Sequence, residues 1–143
     1  MSHREKVAWL SLAAIVVTFG PYFLLTALRP PAAGTMPELQ QLGRFAVTTI
    51  VQMLILGGGH LVLRLREPEE ARLPADERDR AVQARSIRIA YFVLITGMIL
   101  VGVIMPFTTG GWAIVNAALA SIVLAEVVQY GIAVWSYRRG WHD

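Results

Sequence analysis

The sequence contains no cysteine and comparatively few charged residues. The missing cysteine excludes disulfide bonds, thiol catalysis and cysteine-ligated metals over the 143 residues of the chain. Charged residues make up 16% of the sequence, whereas a typical soluble domain has about a quarter. The apolar residues, at 55%, form long blocks and lack the 3.6-residue alternation that gives the helices of soluble proteins a polar face. These features indicate an integral membrane protein.

Four apolar runs account for most of the chain, at residues 7–28, 42–65, 87–108 and 112–137. Each is longer than the roughly 18–20 residues that cross a hydrocarbon core of about 30 Å. The first run is also too long for the core of a cleaved signal peptide, which has about 7–15 residues. The sequence therefore predicts an all-α fold with one membrane domain over residues 1–143. We expect four transmembrane helices and a charged loop at residues 66–86.

Basic residues are distributed unequally between the two sides that this arrangement defines. All Lys and Arg residues except Arg29 and Arg44 lie on the side of the two termini and the charged loop. Cytoplasmic segments of membrane proteins are enriched in Lys and Arg. The sequence therefore predicts a multi-pass membrane protein with both termini in the cytoplasm. Anionic lipid headgroups explain the basic charge, so we expect no nucleic acid partner.

Glu126 is an acidic residue near the centre of the fourth run, where a charged side chain costs on the order of 2.5–3.5 kcal/mol. Protonation or a hydrogen-bonding partner removes part of that cost. One interpretation is a protonatable group in a transport path or ligand pocket, and the other is a neutral acid that hydrogen-bonds helices together. In both cases we expect a partner on another helix, above all on the second span. The candidate intramembrane polar site comprises Glu126, Gln129, Tyr130, Gln52 and His60.

Small residues indicate where helices approach each other closely. Gly57, Gly58 and Gly59 lie in the second run at about the depth of Glu126. The fourth run offers a complementary stripe with a four-residue repeat, formed by Ala113, Ala117, Ser121 and Ala125. Small residues at such spacing let the backbones of membrane helices pack closely. We therefore expect these two surfaces to be packing faces.

The charged segment before the third run has the pattern of a helix start. Asp76 is a candidate N-cap, Asp79 lies in the first turn, and Asp76 and Arg80 have the spacing of an ion pair. We expect the helix to continue into the third span. The segment is either a docking surface that forms a network with the C-terminal arginines or a solvated helix start. The candidate docking residues are Asp76, Glu77, Arg78, Asp79, Arg80, Arg138 and Arg139.

Two stretches, "LPADERDRAVQARSIRIAYFVL" and "LAEVVQYGIAVWSYRRGWH", carry a resemblance to a known family. The chain resembles a family of uncharacterised bacterial four-helix inner-membrane proteins, which has a DERD element before its third span and a Tyr-Arg-Arg-Gly type of ending. The resemblance implies a four-span fold in the bacterial inner membrane and no established reaction. The motif positions it implies are Asp76, Glu77, Arg78, Asp79, Arg80, Glu126, Tyr130, Gly131, Tyr137, Arg138, Arg139 and Gly140. Small multidrug transporters also have four spans and a membrane glutamate, but their glutamate lies in the first span. The first span of this chain has no acidic residue, so the resemblance to those transporters fails.

No pattern of an enzyme is present in the sequence. We find no nucleophile–base pair, metal-ligand spacing or phosphate-binding loop, and we expect neither catalysis nor a cofactor or metal. We expect an interaction, regulatory or accessory membrane subunit that acts through its charged cytoplasmic face. The alternative is a small oligomeric transporter or channel that uses Glu126 as a protonatable site. The expected partners are the lipid bilayer and either a partner protein or further copies of the chain.

Reporter fusions test the predicted topology. A reporter joined after residue 72 or residue 143 should be cytoplasmic, and one joined after residue 35 or residue 110 should lie outside. The reason is that four spans with a cytoplasmic N-terminus place alternate connections on opposite sides. A cytoplasmic signal at residue 35 would contradict the four-span arrangement.

Overall fold

The computed structural model describes residues 2–30 and 39–139, and these residues form helices joined by short connections, without a strand. The helices are α1 (His3–Leu28), α2 (Leu39–Arg66), the short α3 (Pro68–Arg72), α4 (Glu77–Ile99) and α5 (Trp112–Arg139). Beyond Ile99, α4 continues through irregular helical turns to Phe107. The helices confirm the predicted all-α class, and four of those in the described residues are long and apolar enough to cross a membrane, in agreement with the four predicted spans. The connection after α1 falls largely on residues 31–38, outside the described residues.

Helix caps, rather than the ends of the apolar runs, determine where two of the helices begin. The Ser2 hydroxyl accepts a hydrogen bond from the Glu5 amide at 3.2 Å and caps α1. The Asp76 carboxylate accepts one from the Asp79 amide at 2.6 Å, which confirms the predicted N-cap of α4. The helix runs on into the third span as predicted, so much of the predicted loop at 66–86 is helical. The predicted ion pair between Asp76 and Arg80 is wrong within the described residues, because the Asp76 carboxylate faces the helix start.

The end of α4 departs from regular helix geometry before the chain turns into α5. Leu100–Ile104 forms a wide π-helical turn, and Met105–Phe107 forms a tight 3₁₀ turn. Pro106 has no amide hydrogen to donate to the carbonyl of Gly102, so the α-helical pattern cannot continue through it. Gly111 then has a φ of 60°, a left-handed conformation that glycine adopts without strain.

The helices pack in the order α2, α1, α5, α4. The extensive contacts are those of α4 with α5, α1 with α5 and α1 with α2. A buried core forms around Ile15, Phe19 and Tyr22 of α1, with Phe45 of α2 and Tyr130 of α5 packed against it. The most apolar window of α1 is 33% buried, and that of α2 is only 6% buried. As a result, α1 and α5 lie at the centre of the bundle and α2 lies at its edge.

The small-residue surfaces pack differently from the sequence prediction. A Cβ at Gly97 of α4 would lie 2.5 Å from Oγ of Ser121, so the stripe of α5 packs against α4 and not against the glycines of α2. Gly59 instead faces Leu10 of α1. A Cβ added at Gly59 would lie 2.5 Å from Cδ2 of Leu10. Gly57 and Gly58 have no atom within 4 Å of an added Cβ. The expected pairing of α2 with α5 is therefore wrong, because α5 packs along α1 and α4.

The contact between Gly97 and Ser121 predicts the effect of a single added methyl group. Gly97→Ala should destabilise the protein by about 1–3 kcal/mol, because the methyl would overlap the Ser121 side chain. Denaturation in detergent micelles measures this loss. Ser121→Gly should restore part of the stability in the double variant, since it removes the overlapping atoms. Gly58→Ala is the matched control and should be neutral. Equal effects at positions 97 and 58 would contradict the close α4–α5 contact.

Candidate functional site

The candidate site begins at the end of the bundle where α1 starts, α2 ends, α4 starts and α5 ends; we call this the charged end. Glu67, between α2 and α3, accepts a hydrogen bond from Nζ of Lys6. Nδ1 of His3 lies 3.2 Å from the other carboxylate oxygen of Glu67. The hydrogen bond from Lys6, and then that from His3, hold the pKa of the Glu67 carboxyl below its ordinary value. These contacts join the start of α1 to the junction of α2 and α3.

Asp79 joins three helices at the charged end. Nε of Arg4 lies 2.9 Å from Oδ2 of Asp79, and the Tyr137 hydroxyl donates a hydrogen bond of 2.9 Å to Oδ1. Nη2 of Arg78 donates to the Tyr137 carbonyl oxygen at 3.4 Å. The side chain of Asp79 is 17% exposed, whereas that of Arg4 is 40% exposed. One carboxylate therefore connects the first turns of α1 and α4 to the last turns of α5.

The predicted docking residues do not form a single network. Arg138 and Arg139 lie over the rings of Trp9 and Trp135, at 4.9 and 4.6 Å from the ring centroids, as cation–π pairs. The expected network of the charged segment with these two arginines is therefore wrong, since Arg4 and Tyr137 occupy Asp79 instead. Glu77, Arg78 and Arg80 are exposed. Sequence analysis missed the contacts of His3, Arg4, Lys6 and Glu67 because no spacing rule links residues so far apart.

A cavity of about 410 Å³ lies at the charged end between α1, α3, α4 and α5. Arg4, Glu70 and Asp79 line its outer part, and Gln83 of α4 and Gln129 of α5 line it further along the helices. The lining thus changes from charged to neutral polar groups. No cluster of three His, Asp or Glu side chains suitable for a metal ion occurs in the described ranges. The cavity therefore offers hydrogen-bonding groups and single charges.

Glu126 lies in a groove of about 170 Å³ between α4 and α5. It is the fifteenth of the 28 residues of α5 and is half-buried. Within residues 2–30 and 39–139, no hydrogen bond or ion pair joins its carboxyl to another residue; its neighbours include Tyr91, Gln129 and Tyr130. Gln129 lines both this groove and the charged-end cavity. We call the two spaces together the crevice.

The predicted partner of Glu126 on the second span is wrong. Gln52 of α2 is buried and accepts a hydrogen bond from the Thr18 hydroxyl of α1, and His60 lies half-buried on the same edge helix. The physical reason is that α2 packs on α1, whereas the carboxyl of Glu126 faces the groove beside α4. The structure brings Glu126, Gln129 and Tyr130 together and leaves Gln52 and His60 apart from them.

No family model, curated protein or solved structure matches this chain. The resemblance to the four-helix family and the roles of its motif positions therefore stay predictions. Gly140 of that motif lies outside the described residues. The candidate site is defined by geometry alone, as a charged end with its cavity and a groove at Glu126 that shares Gln129 with that cavity.

The contacts of Glu67 predict how stability changes with pH. Because the folded-state pKa of Glu67 is lowered, its stabilising effect is present above the ordinary value of 4.5 and is lost as the pH falls through the lowered pKa. Glu67→Gln should therefore be less stable than the wild type at neutral pH, and this difference should disappear in acid. Denaturation midpoints in micelles from about pH 7 to about pH 3 measure it.

Glu69→Gln is the matched control, since Glu69 lies two residues away and makes no ion pair within the described part of the chain. It should change stability little at any pH. A stability difference for Glu67→Gln that stays constant with pH would contradict the ionic role of this carboxylate.

Proposed function

We propose that the protein is a small accessory subunit of the bacterial inner membrane, with both termini in the cytoplasm, that docks a partner protein through its charged end. One observation carries this proposal. Asp79 bonds to both Arg4 and Tyr137, so the first turns of α4 are held on α1 and α5. A surface that is ordered before binding loses less entropy when a partner associates. A solvated linker would not need these contacts.

The exposed charge at this end favours a partner with an acidic surface. The exposed arginines include Arg64, Arg66, Arg72, Arg78, Arg80, Arg138 and Arg139. Glu69 and Glu77 are also exposed, so the surface carries both signs with an excess of positive charge. Complementary charge steers association and selects the partner. Anionic lipid headgroups would satisfy the same arginines, so the test must separate protein from lipid.

Site-specific photo-crosslinking in native membranes tests the docking proposal. A photoreactive residue at Ala81, which is exposed on the first turns of α4, should give one discrete protein adduct, and one at exposed Thr108 should not. Arg80→Glu should abolish the Ala81 adduct and Arg80→Lys should retain it, because the partner is held by positive charge. Tyr137→Phe should lower the yield, since it removes the hydrogen bond to Asp79. Adducts with lipid alone, or an adduct unaffected by Arg80→Glu, would contradict docking.

A second function is supported by the position of Glu126. A carboxyl at the middle of a long apolar helix, without a bonding partner in the described residues, suits a small oligomeric transporter or channel with a protonatable site. Glu126→Gln keeps the shape of the protonated acid and cannot titrate. In proteoliposomes the variant should stay folded and lose a pH-dependent flux that the wild type shows. Equal fluxes for both proteins would contradict this function.

A further inference from the structure

The α5 wall of the crevice is a single helix face that leads from the charged end to the middle of the helix. Tyr137, Ala133, Gln129 and Glu126 are spaced by four, four and three residues, so they lie above one another on one face. The first three line the charged-end cavity, and Gln129 and Glu126 line the groove. Gln129 therefore lines both spaces and lies between Glu126 and the charged end.

The crevice has polar side chains, among apolar ones, on the charged-end side of Glu126. Toward the charged end, Gln83 and Ser86 of α4 line the cavity opposite the α5 face together with the apolar Val82, and Ile87 and Ala90 line the groove. Away from the charged end, Leu94 of α4 and Ile122 of α5 line the groove. Water is stabilised where polar groups offer it hydrogen bonds and is excluded from small apolar spaces. Gln83, Ser86 and Gln129 therefore offer water hydrogen bonds on the charged-end side of Glu126, and Leu94 and Ile122 offer none on the other side.

The volumes and charges around Glu126 suit proton exchange through water. A water molecule takes about 30 Å³ in the liquid, and the cavity and the groove measure about 410 and 170 Å³. The titratable groups beside Glu126 include Tyr91 on α4 and Tyr130 on α5, and no Lys, Arg or His of the described ranges lines the groove. On α1, the neighbours of this part of α5 are Ser11 and Ile15, which do not titrate in water. The carboxyl therefore has no ionised partner among the described residues.

We propose that Glu126 exchanges protons with the aqueous phase at the charged end, through the crevice, and not with the phase at the opposite end. In each exchange the carboxyl O–H bond breaks, a water molecule in the crevice accepts the proton, and the carboxylate remains. Water carries the proton past Gln129 to the charged end, and the reverse transfer restores the acid. Gln129 is a positioning residue, because its amide orients water and does not itself take up the proton. This inference deepens the second function proposed above, because it concerns the same carboxyl. It rests on that function only for the role of the exchanged proton in transport.

Carbodiimide labelling measures the protonation of Glu126 from each side separately. Dicyclohexylcarbodiimide enters membranes and adds to a protonated carboxyl, and the resulting N-acylurea adds the reagent's mass to the peptide that contains Glu126. The full chain is reconstituted into vesicles, its orientation is determined by protease cleavage near residue 72, and the two aqueous phases are buffered independently. Labelling should follow the pH at the charged end and should not change with the pH at the opposite end. Labelling that follows the opposite phase, or that is absent at every pH, overturns the proposal.

Variants of Gln129 test the route. Gln129→Leu should slow the response of labelling to a pH jump at the charged end by tenfold or more, while Gln129→Asn, which keeps an amide, should retain most of the rate. Gln40→Leu makes the same change at an exposed position near the opposite end and should respond like the wild type. Glu126→Gln should give no adduct on this peptide. A wild-type response in Gln129→Leu would overturn the route through the crevice.

The labelling result and the transport result can be told apart. Labelling reports proton exchange at Glu126 whether or not any flux crosses the membrane. Labelling from one side without flux would retain the exchange site and refute the transport function. If the wild type is labelled from one side and the flux persists in Glu126→Gln, the exchange site is likewise retained and the transport function of Glu126 is refuted. Labelling that responds to both sides would overturn the one-sided route even if flux were observed.

Discussion

The carboxylate of Asp79 is the constraint on which the charged end depends. Its two oxygens bind Arg4 of α1 and Tyr137 of α5, and its own amide binds the Asp76 cap of α4. Ion pairs with an exposed partner contribute only about 0–1 kcal/mol, so the main effect of this group is on geometry. Because Arg4, Asp79 and Tyr137 all line the cavity, the same contacts that fix the helix ends also fix the entrance to the crevice.

Within the spans, packing and paired polar groups hold the helices together. Lipid tails are as apolar as the helices, so membrane helices associate through close packing and interhelical hydrogen bonds. The contact of Gly97 with Ser121 provides close packing for α4 and α5. The hydrogen bond from Thr18 to Gln52 joins α1 to α2, and the 2.8 Å bond from Tyr22 to Asn116 joins α1 to α5. Each neighbouring pair in the order α2, α1, α5, α4 therefore has at least one specific contact.

Local features of this chain could be predicted from sequence, and the choice of helix partners could not. The four spans follow from run length, and the Asp76 cap follows from the residues within one turn of it. The partner of Gln52 depends on which helix lies beside α2, and nothing within α2 specifies that helix. The rotation of α5 was equally hidden, since a helix that is apolar on all sides gives no periodic signal of the face it buries. The direction of Glu126, and the brace between Arg4 and Asp79, appear only once the helices are packed.

The contrast between Glu126 and the paired polar groups of the spans bears on its role. The Thr18 hydroxyl bonds to Gln52 and the Tyr22 hydroxyl bonds to Asn116, so these side chains find partners within the chain. Structural glue requires such a pairing, because the stabilisation comes from the hydrogen bond itself. Glu126 has none among the described residues and lies instead in a groove that shares Gln129 with the charged-end cavity. Protonation removes part of the cost of placing a carboxyl there. Water, a ligand or another chain can supply the hydrogen bonds that the described residues do not, and in each of these cases the residue interacts with something that enters from outside the bundle.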